Sequence, residues 1–221
     1  MTGGTITLQA ADGHSLSAYR AGPETAPGLV VVQEIFGVNA HMRRVCEELA
    51  SAGYRAIAPA LFDRVERGTE LGYAQEDIAR GLALRAGIPE SALLADVGAA
   101  AAALGGRKVG IIGYCWGGTI AWWGATRTRR FAASVAWYGG GIAASAAERP
   151  NCPVQMHFGD QDTSIPPTDI ARIRAAQPQA EIFVYENARH GFGCEERPSY
   201  DATHAALALK RSLAFLETHL G

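Results

Sequence analysis

No apolar run in this chain approaches the ~20 residues that a membrane-spanning helix needs. The N-terminal segment MTGGTITLQAADGH has neither a basic flank nor an apolar export core. A soluble, cytoplasmic protein that engages no membrane is expected. Charge of one sign is equally scarce: 20 Lys and Arg stand against 22 Asp and Glu in 221 residues, with no block of like charge. Such a surface has no stripe for tracking phosphates, so nucleic acid is not expected as a partner. Cysteine is sparse and scattered, at Cys46, Cys115, Cys152 and Cys194, with no CxxC pair. That spacing fits neither a disulfide scaffold nor a zinc or redox motif, and the four read as reduced thiols. The six histidines show no HExxH or related ligand spacing. No metal and no organic cofactor is expected.

What is present is an alternation of short apolar runs and helical stretches. Thr5–Gln9 and Ser15–Arg20 alternate apolar with polar residues around Asp12-Gly13, the dipeptide of a tight hairpin, and predict an antiparallel edge. Continuous apolar runs follow at Leu29–Val32, Arg55–Ala58, Val109–Ile112, Ala132–Trp137, Val154–Phe158 and Ile182–Tyr185, as suits strands buried on both faces. Helical patterns lie between and after them, at His41–Ala52, Glu90–Leu104, Thr119–Thr126, Thr168–Ala176 and Tyr200–His219. The alternation predicts an α/β fold: a mostly parallel central sheet with an N-terminal antiparallel hairpin at its edge and helices on both faces. One domain spanning residues 1–221, and a monomer, are expected. Arg64–Gly87 is polar and reads as an irregular lid or surface excursion. Tyr138–Pro150 is rich in Gly and Ala and follows a strand directly. Loops at the carboxyl ends of parallel strands are where such sheets bind ligands.

The segment with most chemistry is Val109-Gly-Ile-Ile-Gly-Tyr-Cys-Trp-Gly-Gly-Thr-Ile, a strand running through Gly113-Tyr114-Cys115-Trp116-Gly117 into a helix. It has the form of a nucleophile elbow with cysteine in the serine position. So tight a turn would bring side chains two before and two after the nucleophile into collision, and glycine occupies both places. The central side chain is then lifted into a cleft. The Trp116 N–H sits at the helix N-terminus, where a carbonyl oxygen becoming an oxyanion would find it. A buried structural thiol is the competing reading of a Gly-x-Cys-x-Gly stretch, but the strand before it and the helix after it favour the elbow.

A thiol needs a base, and this fold order places an acid after a later strand and a histidine after the last one. Val154–Phe158 ends in Gly159-Asp160-Gln161-Asp162, and Ile182–Tyr185 leads to Asn187-Ala188-Arg189-His190-Gly191-Phe192. Asp162 and His190 are therefore the expected acid and base. Asp160 is a rival for the acid, placed lower because it lies nearer the strand end, where it would brace the turn. Val30–Val32 delivers Gln33 and Glu34 to the sheet's upper edge, where a buried carboxylate requires a donor or a cation such as Arg43 or Arg44. The Ile35 N–H is the candidate for a second oxyanion donor. Phe36, Trp137, Tyr138, Phe192 and Arg80 are candidates to line a substrate pocket.

At these residues the sequence resembles the dienelactone hydrolase family, also called carboxymethylenebutenolidases. The likeness spans nearly the whole chain: Asp12-Gly13-His14, Gln33-Glu34-Ile35-Phe36-Gly37-Val38-Asn39, Gly53-Tyr54, Pro59, Gly113-Tyr114-Cys115-Trp116-Gly117-Gly118, Gly159 to Asp162 and His190-Gly191-Phe192. The resemblance implies an α/β-hydrolase that attacks a small-molecule ester or lactone with the Cys115 thiolate and passes through a thioester acyl-enzyme. It also implies that Glu34 pairs with Cys115 at rest and swings away when substrate binds. The sequence departs from the family in one respect. Where the best-known members carry two substrate-binding arginines, one four residues after the histidine and one in the lid-like region, this chain has Cys194, flanked by Arg189 and Arg197, and has Arg80 near the lid position. A broader esterase or thioesterase for less charged acyl groups, and a non-turnover thiol-sensing or ligand-binding protein, are the alternatives.

Overall fold

The computed structural model describes residues 3–105 and 108–221. Its contacts divide the chain into two compact units, Met1–Ile111 and Ile112–Gly221. The first holds β1 (Gly4–Gln9), β2 (Ser15–Ala21), β3 (Gly28–Val32), α1 (Ala40–Ser51), β4 (Arg55–Pro59), α2 (Gln75–Ala86) and α3 (Glu90–Leu104). Strand β5 (Val109–Tyr114) carries the chain into the second, which holds α4 (Trp116–Arg127), β6 (Ala133–Trp137), β7 (Val154–Gly159), α5 (Pro167–Ala176), β8 (Glu181–Tyr185) and α6 (Ala202–Leu220).

In the first unit the strands lie in the order β1-β2-β4-β3. β1 and β2 form the expected antiparallel hairpin, with Gln9 opposite Ser15, and Gly13 turns the chain at φ 86°. β2 is antiparallel to β4, and β3 is parallel to β4. The all-apolar run Leu29–Val32 is fully buried, as a strand covered on both faces must be. The covering helices can be placed from side-chain parity. Tyr19 on β2 donates to Glu47 of α1, while Arg55 on β4 donates to the Leu104 carbonyl at the end of α3. Tyr19 is paired with Ala58, three residues from Arg55, so the two side chains leave opposite faces of the pleat and α1 and α3 cover opposite sides. Helix α1 is capped by the Asn39 side chain, which accepts from the Met42 N–H, and it buries Met42, Val45, Cys46 and Leu49 at helical spacing.

In the second unit the order is β5-β6-β7-β8, with β6, β7 and β8 parallel. Ser134 on β6 donates to the Ala121 carbonyl of α4, and Trp137 on the same strand donates to Ser212 of α6. Their opposite parity places α4 and α6 on opposite faces.

Two expectations need correction. Arg64–Gly87 is not irregular: it contains the twelve-residue helix α2. Its apolar face is narrow, with only Gly81 and Leu84 buried, and a mid-helix glycine argues locally against a helix. The glycine is there for packing, since a Cβ on Gly81 would lie 2.0 Å from the Ile35 carbonyl oxygen. Strand β8 is also not buried on both faces. It ends the strand order, and Val184 is 38% exposed. An apolar run does not distinguish an edge strand from a central one, and here the Arg211 guanidinium covers Phe183 from 4.1 Å.

One buried ion pair holds the hairpin, the 3-10 turn at Leu61–Arg64 and α3 together. Arg64 bonds Asp96 at 2.6 Å and Asp12 at 2.6 Å, with Asp96 wholly buried. Burial pushes the Asp96 carboxyl up, and the Arg64 guanidinium opposes that shift. Removing the cation would strand a buried carboxylate, so Arg64→Met should destabilise the fold by about 3 kcal/mol in urea unfolding at neutral pH. The double variant Arg64→Met/Asp96→Leu should recover most of the loss.

Candidate active site

Cys115 stands between β5 and α4 with φ 55°, in the left-handed region that a non-glycine residue rarely occupies. The turn is so close that a Cβ on Gly113 would lie 1.9 Å from the Gly117 carbonyl oxygen. Glycine is therefore obligatory at that position. Helix α4 starts directly at Trp116, three residues before the expected start at Thr119, because the elbow has no intervening loop. Thr119 N–H and Gly118 N–H both donate to the Cys115 carbonyl, and the Cys115 N–H donates to the Trp137 carbonyl at 3.0 Å. The thiol thus sits at a helix N-terminus, where the first N–H groups and the dipole favour negative charge.

The three residues singled out by order along the chain meet here. His190 Nε2 lies 3.1 Å from Cys115 Sγ, and His190 Nδ1 lies 2.7 Å from Asp162 Oδ2. Asp162 is 3% exposed, and its second oxygen accepts the Ser164 N–H at 2.8 Å. The rival Asp160 does not reach His190 by any hydrogen bond of the structure; its N–H donates to the Tyr185 carbonyl, bracing the turn after β7. Burial alone would lower the His190 pKa. The Cys115 and Asp162 charges outweigh it and raise the value to about 10. The arrangement therefore favours a protonated imidazole within hydrogen-bond reach of the Cys115 sulfur at neutral pH. Elsewhere in the chain burial raises the Cys46 thiol, and raises Cys152 to about 11. Cys194 is fully buried and shapes the loop after His190, its N–H bonded to the Gly191 carbonyl.

Aromatic side chains back the imidazole. Tyr138, wholly buried and strained at φ 40°, has its ring centroid 5.3 Å from that of His190. Phe192 lies 5.4 Å from Tyr138 and 5.7 Å from Trp137. Ser199, which the sequence did not single out, donates to the His190 carbonyl at 2.7 Å and fixes the loop. A serine nine residues downstream has no local signature, so only the folded loop reveals it. The remaining candidates lie in the first unit. Glu34, 1% exposed, and Ile35 follow β3, and Phe36 packs on Tyr73 at 4.5 Å. Arg43, one proposed partner for Glu34, bonds Glu70 and the Val38 carbonyl instead. Arg80 is largely exposed on α2 and pairs with Glu66.

Comparison with known proteins identifies the family of the chain. The model of the dienelactone hydrolase family matches residues 16–220. A protein of Escherichia coli K12, provisionally named a carboxymethylenebutenolidase, is 38% identical, with 95% of this chain and 84% of that protein covered. The carboxymethylenebutenolidase of Pseudomonas putida is 34% identical, covering 96% of this chain and 94% of its own. A crystal structure from Klebsiella pneumoniae, provisionally named a dienelactone hydrolase, superposes with a TM-score of 0.84 at 31% identity over 98% of this chain and 99% of that one. The fold is that of the α/β-hydrolases. The chain belongs to the dienelactone hydrolase family and is a hydrolase of that kind.

The raised His190 value has a consequence for stability. A folded-state pKa above the unfolded value of ~6.5 contributes stability that is complete below that value and is lost as pH rises toward about 10. Thermal unfolding followed between those limits should show a decline that His190→Gln removes.

Proposed function

We propose that this hydrolase opens an ester or lactone by nucleophilic attack of Cys115, with His190 as acid and base and Asp162 as its orienting carboxylate. The observation that carries the reading is the unbroken line of contacts, 3.1 Å from thiol to imidazole and 2.7 Å from imidazole to a buried carboxylate. The Cys115 thiolate adds to the carbonyl carbon, and the Trp116 N–H, first in α4, faces the developing oxyanion. The tetrahedral adduct collapses to a thioester as the His190 Nε2 proton passes to the departing alkoxide or enolate oxygen. His190, now neutral, takes a proton from water, whose oxygen attacks the thioester. The carboxylic acid leaves and the thiolate returns beside the imidazolium.

The substrate is proposed to carry a carboxylate, as a carboxymethylene butenolide does. Although Cys194 stands where an arginine is expected, Arg197 lies on the same loop. A Cβ on Gly191 would lie only 2.5 Å from its Nη1, so the guanidinium rests on the backbone next to His190. This contact supports Arg197 as the cation for the substrate's charge.

Two sets of kinetics test the reading. Cys115→Ala should reduce lactone hydrolysis at least ~10³-fold, and undiminished turnover would refute the nucleophile. Arg197→Met should raise KM for the anionic lactone about tenfold or more, leaving a neutral aryl ester nearly unchanged. Efficient turnover of the neutral ester alone would retain the mechanism and replace the substrate by a less charged acyl group.

A further inference from the structure

Beneath the site runs a buried polar chain that the proposed mechanism does not use. Trp137 Nε1 donates to Ser212 Oγ on α6 at 3.1 Å, and Ser212 Oγ lies 3.0 Å from His157 Nε2. His157 Nε2 also lies 2.9 Å from Gln155 Oε1, and its Nδ1 lies 2.8 Å from the Tyr185 hydroxyl. Partners at both ends decide the tautomer. Gln155 Nε2 donates to Glu181 at 2.8 Å, leaving Oε1 as the acceptor turned toward His157. Tyr185 meets the guanidinium of Arg211, which can only donate, so the hydroxyl's own proton goes to Nδ1. His157 is therefore neutral with its proton on Nε2, shared between Gln155 and Ser212. Burial, with Arg211 adding to it, depresses its pKa to about 3 and keeps that state throughout the neutral range.

The residue whose indole this chain holds touches both halves of the site. Its own residue's carbonyl accepts the Cys115 N–H at 3.0 Å. Its ring stacks on Phe192 at 24°, and a Cβ on Gly193 would come within 2.7 Å of its Cζ3. The nucleophile's turn is thus tied to the backbone of Trp137, and the loop after His190 rests on its ring. We infer that Ser212 is a positioning residue: through the Trp137 indole it sets the approach of the His190 loop to Cys115, with single-tautomer His157 fixing the Ser212 hydroxyl in turn.

The inference rests on Cys115 and His190 being the reacting pair, and the test separates the two. Neutral-ester hydrolysis and the pH profile of Cys115 alkylation by iodoacetamide, read by peptide mass, are measured for the intact chain. The variants are Cys115→Ala (hydrolysis only), Ser212→Ala, Trp137→Phe and the double variant Ser212→Ala/Trp137→Phe. Ser212→Ala should lower kcat roughly ten- to a hundredfold with KM little changed, because misplacement costs orientation rather than binding. It should also move the alkylation midpoint upward as the imidazolium draws away from the thiolate. Because Ser212 acts through the indole N–H, adding Ser212→Ala to Trp137→Phe should cost nothing further. Tyr185→Phe, which keeps the ring and loses the hydroxyl that donates to His157 and meets Arg211, should give the same split to a smaller degree, and it stands in if Ser212→Ala does not fold. Unchanged kcat and alkylation profile, or losses that add in the double variant, would overturn the positioning role while Cys115→Ala remained inactive. Activity surviving Cys115→Ala would instead overturn the reading beneath it.

Discussion

The second unit is organised around one backbone constraint: a cysteine in the left-handed region where a buried strand passes directly into a helix. That conformation is costly for a residue with a side chain, on the order of 1–3 kcal/mol, and persists only where the surroundings over-determine it. They do so here. Gly113 allows the chain to pass Gly117, the helix N–H groups converge on the Cys115 carbonyl, and β6 receives the Cys115 N–H. The result is a thiol whose direction is fixed by the fold, so its reactivity depends on what the next loops bring to it. Those loops bring an imidazole fixed by a buried carboxylate.

The same physics separates Cys115 from the other thiols of the chain. Cys46 and Cys194 are buried, and Cys152 is desolvated with no cation to offset the cost. A thiolate at Cys46 or Cys152 would be expensive. Cys115 is partly accessible, stands at a helix N-terminus and lies within hydrogen-bond reach of His190. Accessibility, a helix N-terminus and a histidine partner are found together at one sulfur, which is what the proposed nucleophile requires.

Much of this was legible in the residues themselves because it is dictated locally. Gly113 ahead of Cys115 reflects a collision with the Gly117 carbonyl across a tight turn, and Asp162 and His190 sit just past the ends of apolar runs. What was not legible depends on contacts between distant segments. Arg64–Gly87 read as a surface excursion because it is polar, and Gly81 within α2 is required by the Ile35 carbonyl rather than by the helix. Ile182–Tyr185 has the composition of a central strand, and only the order of the sheet makes it an edge. Ser199 and Ser212 act on His190 and Trp137 from positions with no local pattern, and the proton on His157 is fixed by Gln155 and Tyr185, neither of which is next to it in sequence.

The central claim is covalent chemistry at one sulfur, and it is tested most directly by catching the bond. The protein is mixed with a slowly hydrolysed aryl ester, quenched in acid within the first turnover, digested, and its cysteine peptides weighed. The account predicts an added acyl mass on the Cys115 peptide alone, formed together with release of the aryl alcohol and lost as the acid is released. Hydrolysis that proceeds with no acyl mass on Cys115, or with the acyl group on another residue, would contradict it.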